Sequence, residues 1–349
     1  MKKFFLLVII EYLKNYNLEI KYFPYQPHCF AFGGFDMQMI NTLDSVIKAG
    51  VDASKLDIWS RNNDFDIIHL WGVSPHNYHV IDWAKKSGKF IIATVLIPYF
   101  DTIRLKLSYL KHYNSYWQKH LIHYYSMIDK VVVVNELQAF VLSKYYKVHP
   151  SKIAVIPHII EDRFFEIPSF SFSEKYDIDD YVLCTGNICS RKNQLNLAKA
   201  CINLDRKLVL VGGVMDGEEL YAKEFEVLIS YHINIRWIKE LPKGSEELAA
   251  AYYNCSLFAL PSKNETQPIS ALEAAAMNKP LVLCERDYAR QDYYQGAILT
   301  KSTNVKDIET ALMTALSNKT TFKKNQKLFD CTTEAVGKAY KKVYKELIA

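Results

Sequence analysis

The 349-residue chain reads as an α/β protein built from two Rossmann-like, doubly wound domains facing a central cleft. Three observations predict this. Short apolar runs rich in β-branched residues alternate with longer amphipathic stretches, and the series occurs twice. The runs lack polar alternation, as strands buried on both faces of a parallel sheet do. The length suits two domains, each large enough for its own core.

In the first series the expected strands are 19–24, 66–71, 90–96, 130–134 and 153–156, with helices over 37–48, 77–87, 104–127 and 136–146. In the second they are 181–185, 207–211, 234–238, 256–260 and 280–284, with helices over 193–203, 217–230, 246–253 and 269–277. The separator at 164–178 has no apolar period. Its core, 167–178, is taken as a linker between a first domain of 1–166 and a second of 179–332. The tail 333–349 carries a helical apolar stripe at Val336, Ala339, Tyr340, Val343 and Leu347, which predicts a packed helix that could return to the first domain.

Composition narrows the function. Half the residues are hydrophobic and 23% charged, ordinary values for a globular protein. The net charge is +5, and residues 1–165 hold all of the surplus, 19 Lys and Arg against 14 Asp and Glu. That excess suits an anionic membrane or an acidic substrate, and lacks the clustered basic stripe nucleic acid requires. The seven Cys are scattered without zinc spacing and read as reduced core thiols of a cytoplasmic protein. The N-terminus, "MKKFFLLVIIEYLKNYN", imitates a signal peptide but has no small-residue cleavage site and is interrupted by Glu11 and Lys14. No run reaches the ~18 apolar residues a membrane span needs.

Four stretches could carry chemistry. In "PSKNETQPISALEAAA" a strand ends at Pro261, a loop holds Glu265, and a helix opening at Pro268 holds Glu273 eight residues on. The free N–H groups of that helix attract phosphate, and the two carboxylates suit sugar or ribose hydroxyls. The plainer alternative makes Glu265 a helix cap and Glu273 a solvated residue. In "CTGNICSRKNQ" (184–194), Gly186 permits a tight turn, and Arg191 and Lys192 are expected to start the next helix. Cations there oppose the helix dipole, so a diphosphate is the better reason for them. In "CFAFGGFDMQM" (29–39), Gly33 and Gly34 would let backbone approach a ligand, and Asp36 could cap the following helix. Neither glycine loop is GxGxxG, which argues against a nicotinamide dinucleotide. The acid-free stretch 102–128 would place Tyr109, Tyr113, Tyr116 or Trp117, His120 and Tyr124 on one helix face, suiting a membrane surface or an aromatic core. His69, ending a buried strand, reads either as a substrate contact or as a structural histidine.

Taken in order, "GGFDMQ", "DIIHLWG", "VVVVNELQAFVLSKYYKV", "KIAVIPHIIEDRFF", "VLCTGNICSRKNQ" and "SLFALPSKNETQPISALEAAAMNKPLVL" resemble the retaining glycosyltransferases of the GT-B fold, family four. The last stretch resembles the family's Glu-x7-Glu signature. The resemblance implies a metal-independent hexosyltransferase-type enzyme that needs no cofactor beyond its nucleotide-diphosphate sugar donor. Glu265, Lys192 and Arg191 would be catalytic. Glu273 would hold the ribose, while Gly33, Gly34, Gly186, Asn187, Thr266, Gln267, Ile269 and Ser270 would line the donor. Pro268 removes one N–H donor, which leaves Ile269 and Ser270 to meet phosphate. Asn187 and His158-Ile159 replace residues usual in the family, and "ATVLIPYF" lacks its His.

The acceptor is expected to be a glycan or a lipid-linked molecule in surface polysaccharide or glycolipid synthesis. Peripheral contact with the anionic inner face of the cell membrane and no nucleic-acid partner complete this reading. Two alternatives stand beside it: a catalytically impaired scaffold subunit of a glycosyltransferase complex, and a related epimerase or hydrolase.

Overall fold

The computed structural model describes residues 18–30, 32–97, 107, 110–111, 113–242, 245–317 and 325–348. The signal-like N-terminal segment lies outside them, as does most of 98–112. The chain divides into two compact units. One runs to Ile159 and resumes at Thr333; the other is Ile160–Thr332.

The first unit is a six-stranded, all-parallel sheet in the order β2-β1-β3-β4-β5-β6. Its strands are β1 (Glu19–Pro24), β2 (Asp52–Lys55), β3 (Ile67–Trp71), β4 (Phe90–Thr94), β5 (Lys130–Val133) and β6 (Ile153–Val155). Helices α1 (Gly34–Lys48), α2 (Tyr78–Lys86), α3 (Tyr116–Met127) and α4 (Glu136–Tyr146) form the connections. The buried run of β3 explains its sequence, because both of its faces are covered.

The tail forms α11 (Thr333–Glu346), which packs on α1. Gly337 makes this approach possible: a Cβ there would lie 2.5 Å from the Ser45 carbonyl oxygen. Val336, Tyr340, Val343 and Tyr344 are buried from this helix, at roughly 1.5–3 kcal/mol for an apolar side chain of that size. Beneath it runs a buried polar chain. Tyr344 Oη lies 2.6 Å from Tyr22 Oη and 2.8 Å from His69 Nδ1, His69 Nε2 lies 2.8 Å from Thr94 Oγ1, and Thr94 Oγ1 lies 3.0 Å from Tyr340 Oη. His69 is therefore a satisfied structural histidine, and burial holds it down at about 3.

The second unit is also six-stranded and parallel, in the order β12-β11-β10-β7-β8-β9. It comprises β7 (Tyr181–Thr185), β8 (Lys207–Val211), β9 (Ile235–Ile238), β10 (Leu257–Leu260), β11 (Leu281–Cys284) and β12 (Ile298–Thr300). Its helices are α5 (Phe172–Tyr176), α6 (Gln194–Asn203), α7 (Glu219–Ser230), α8 (Glu247–Asn254), α9 (Ile269–Ala276) and α10 (Val305–Ser317).

Several expectations are corrected. The stretch 167–178 is not an open linker: α5 buries Phe172 against Tyr181, and Lys175 and Tyr176 bond the Glu247 carboxylate. The helix expected over 104–127 is interrupted, because Asn114 adopts φ 61° and Ser115 caps a new start at Tyr116. The aromatic face proposed there thus holds only from Tyr116 onward, and Tyr109 lies outside the described residues. Six cysteines are buried and free as expected, while Cys29 is exposed.

Candidate active site

In the second unit β7 and β10 are neighbours, yet the strands following β7 extend to one side of the sheet and those following β10 to the other. Strand order reverses there. Loops leaving such a pair diverge, and the opening at their carboxyl ends is where open α/β sheets bind ligands. The two loops in question are 186–193 and 261–268, those that the sequence singled out.

The loop after β7 is held by close backbone approaches. Gly186 sits at φ +119° and Gly212 at φ +146°; a Cβ on Gly212 would meet the Gly186 carbonyl oxygen at 2.5 Å. Only glycine fits both demands. Ser190 anchors the far side, its N–H and Oγ donating to the Glu218 carboxylate. Arg191 and Lys192 lie in a turn ahead of α6, which begins at Gln194 after Asn193 takes a left-handed conformation. Lys192 folds back over Gly186, with Nζ 3.5 Å from the Thr185 carbonyl oxygen. Asn187 is exposed, and its carbonyl accepts from Gln194.

The loop after β10 is tied to the first, since Lys263 N donates to the Arg191 carbonyl at 2.8 Å. Arg191 Nη1 pairs with Glu265 Oε1 at 2.6 Å and donates to the Asn264 carbonyl. Ser262 Oγ donates to the same carboxylate at 2.9 Å. Glu265 is thus no helix cap: α9 follows Pro268 without any side-chain cap. The first N–H groups of α9, at half-buried Ile269 and Ser270, have no intrahelical partners. The Gln267 side chain is buried and bonds Gln291, which also holds the Thr266 carbonyl, so both shape the loop.

Glu273 is not a solvated residue either. Tyr252 Oη, from α8, donates to Glu273 Oε2 at 2.7 Å and lies 2.5 Å from Thr185 Oγ1. A hydroxyl chain therefore joins Glu273 to the end of β7, where Lys192 lies. Burial pushes the Glu273 carboxyl up to about 7, the Tyr252 bond opposing the rise, and one edge of the residue remains open. Glu161 raises it further, while Arg163 and Lys192 lower it. Arg163 is itself paired with Glu161 at 2.8 Å and bonded to the Ser245 carbonyl.

Arg191, Lys192, Gly186, Glu265 and Glu273 are thereby brought together, with Tyr252, Thr185, Ser262 and Arg163 as partners that sequence reasoning missed. No spacing marks Tyr252, which comes from a helix in which the sequence singled out no residue. Gly33 and Gly34 belong to the first unit, following β1 beside its own order reversal between β1 and β3. Asp36 Oδ2 accepts from Gly33 N at 2.8 Å and so closes the start of α1. His28 Nε2 lies 3.7 Å from the other oxygen of that carboxylate.

Two doubly wound units, the second with cations and a desolvated carboxylate at its order reversal, define the class of GT-B α/β proteins. The solved structures agree. Sucrose-phosphate synthase from Thermosynechococcus elongatus superposes with a TM-score of 0.71 at 13% identity, over 95% of this chain and 99% of that one. A glycosyltransferase from Rickettsia africae gives 0.68 at 16%, with the same coverage. Anabaena Alr3699/HepE, in complex with UDP-glucose, gives 0.67 at 11%, again over 95% and 99%. No curated protein matches by sequence. Two family models match consecutive stretches: Glycosyltransferase Family 4 over 41–164 and Glycosyl transferases group 1 over 168–330. The chain thus carries GT4-type glycosyltransferase domains in succession.

Proposed function

We propose that the protein transfers a hexosyl group from a nucleotide-diphosphate sugar to a glycan or lipid-linked acceptor, with retention of configuration and without a metal ion. The proposed setting is surface polysaccharide or glycolipid synthesis beside an anionic membrane. The observation that carries this reading is the convergence of Lys192, the Arg191–Glu265 pair and the Tyr252–Glu273 bond on the β7–β10 reversal. The two family-model matches support it, and so does the UDP-glucose held by the Anabaena neighbour.

In this reading Glu273, with acceptor capacity beyond its Tyr252 bond, takes the ribose hydroxyls. Lys192, Arg191 and the N–H groups of Ile269 and Ser270 meet the diphosphate, and Gly186 and Asn187 bring backbone close to it. Glu265 receives hydroxyls of the sugar being transferred. The bond from the acceptor oxygen to the anomeric carbon forms as the carbon–phosphate-oxygen bond breaks, and the acceptor proton leaves with the diphosphate. Charge developing on that leaving group is stabilised by groups already in place; one such donor contributes roughly 2.7–4 kcal/mol in enzymes where it has been removed. In the first unit, Gly33 and Gly34 would let backbone approach the acceptor.

A thermal-shift panel of nucleoside diphosphates tests the reading. A nucleotide at about 100 times its dissociation constant stabilises a protein by ~2.7 kcal/mol. Wild type should respond to at least one nucleotide, and Lys192→Ala and Glu273→Ala should lose that response while staying folded. If both variants respond as wild type does, the site is elsewhere.

A further inference from the structure

The charge of the chain divides along its two units. The unit that ends in α11 holds 22 Lys and Arg against 14 Asp and Glu, and the unit Ile160–Thr332 holds 21 against 24. The tail helix sharpens this contrast. Its inner face is spent on the core, and its outer face carries Lys338, Lys341, Lys342 and Lys345 around a shallow hollow of about 390 Å³, with Glu346 as the one acid lining it.

The acids near this face are already engaged. Glu346 pairs with Lys130 at 3.1 Å, and Glu334 pairs with Lys338. Lys341 Nζ donates to the Ala49 carbonyl, which holds the ammonium group in place without an acid among the described residues to cancel its charge. Lys342 and Lys345 are exposed and have no ion pair among the described residues. Packing of Gly337 on Ser45 makes the platform rigid, so the lysines hold their spacing without ordering a free peptide. Four ammonium groups on one fixed helix, of which only Lys338 shares its charge with an acid among the described residues, Glu334, complement a plane of anionic headgroups more closely than a single small anion, because their hollow is shallow and open.

We propose that the outer lysine face of α11 is the surface by which the first unit docks on an anionic lipid bilayer. Phosphate headgroups lie between the tips of Lys338, Lys342 and Lys345, and Lys341 contributes charge from beside them. The proposal deepens the membrane-side reading above and rests on it for its purpose; the binding itself does not require the enzyme to be active.

The test is sedimentation of the full chain with vesicles of phosphatidylcholine alone and of equal parts phosphatidylcholine and phosphatidylglycerol. Binding is expected only to the anionic vesicles and should fall with salt. A basic side chain near such a surface contributes about five-fold in affinity, so Lys338→Glu/Lys342→Glu/Lys345→Glu should weaken binding at least about 100-fold. The same charge change on another face, Lys85→Glu/Lys86→Glu/Lys89→Glu, should leave it within about three-fold. Equal losses in both triple variants would overturn the proposal, since binding would then follow total charge, and so would equal binding to neutral vesicles. The nucleotide thermal shift, read on the same variants, separates the two readings. Its retention with lost vesicle binding supports both. Its absence from wild type overturns the donor site and leaves the docking surface standing on the vesicle data.

Discussion

If Glu273 takes the ribose hydroxyls, as proposed, nucleotide binding becomes a proton-linked event. Burial holds its carboxyl at about 7 in the free protein, the Tyr252 bond limiting the rise. Ribose hydroxyls donate to a carboxylate, so binding favours the ionised form and returns the group toward its ordinary value of 4.5. That is a difference of about 2.5 pKa units, an upper limit of about 3 kcal/mol of coupling because one edge of the residue remains open to water. The sign follows directly. Above about pH 8 the carboxyl is already ionised and binding releases almost no proton; near pH 7 it releases about half of one, and near pH 6 about nine-tenths. Affinity should accordingly fall up to ten-fold per pH unit below about pH 7. Titration calorimetry with UDP as the probe, in two buffers of different ionisation enthalpy, measures the released proton. Glu273→Gln should bind more weakly and without the pH slope. If wild type releases no proton near pH 6, or the Gln variant keeps the slope, the ribose role of Glu273 is wrong.

Gly186→Ala should be worse than Lys192→Ala: both displace the ammonium and weaken UDP binding, but the Ala at φ +119° adds roughly 1–3 kcal/mol of strain, visible in urea unfolding. The Arg191–Glu265 pair should contribute at most about 1 kcal/mol to stability, because Arg191 is 38% exposed; a double-mutant cycle with Ala at each position measures it by urea unfolding, and transfer should drop at least about 100-fold in each single variant. His69 has its folded value lowered from 6.5 to about 3, so the stability it contributes is complete above about pH 6.5 and is lost as pH falls toward 3, a change on the order of 5 kcal/mol. His69→Gln should flatten that acid limb of the unfolding curve; an unchanged slope would assign acid sensitivity to other groups, buried His158 among them.

Most strands legible in the sequence are those whose burial leaves a mark, while the edge strands β6 and β9 are legible from apolar runs alone. Runs such as Ile67–Trp71 and Leu281–Cys284 are buried throughout and contain little else but apolar residues. The two missed strands, β2 and β12, are sheet edges with a single neighbour each, and Asp52–Lys55 needs no apolar run to make its ladder with β1. Helix α10 is a different kind of miss: Ile308, Ala311, Leu312 and Ala315 show the helical period plainly, and the sequence reading passed over it. At the site, glycine, cation and carboxylate types stood out because each is costly without a reason. Tyr252 did not, since a tyrosine in an apolar helix is unremarkable until the chain brings Glu273 and Thr185 to its hydroxyl. The role of His69 likewise depended on Tyr344, 275 residues away.

What assembles the candidate site is sheet order rather than any local sequence. Arg191 and Glu265 are 74 positions apart and meet because β7 and β10 are adjacent. Backbone then fixes the loops: Gly186 lies against Gly212, and Lys263 donates to Arg191. The charges are oriented before any ligand arrives, which is the condition under which they act on a developing anion with little reorganisation. The same rigidity carries a cost in Glu273, a carboxylate kept partly from water with one hydroxyl donor. A group so placed gains from each further donor, and a ribose presents two hydroxyls on one edge. On the proposed ribose role, the desolvation that destabilises the free site would make it selective for a ligand able to relieve it.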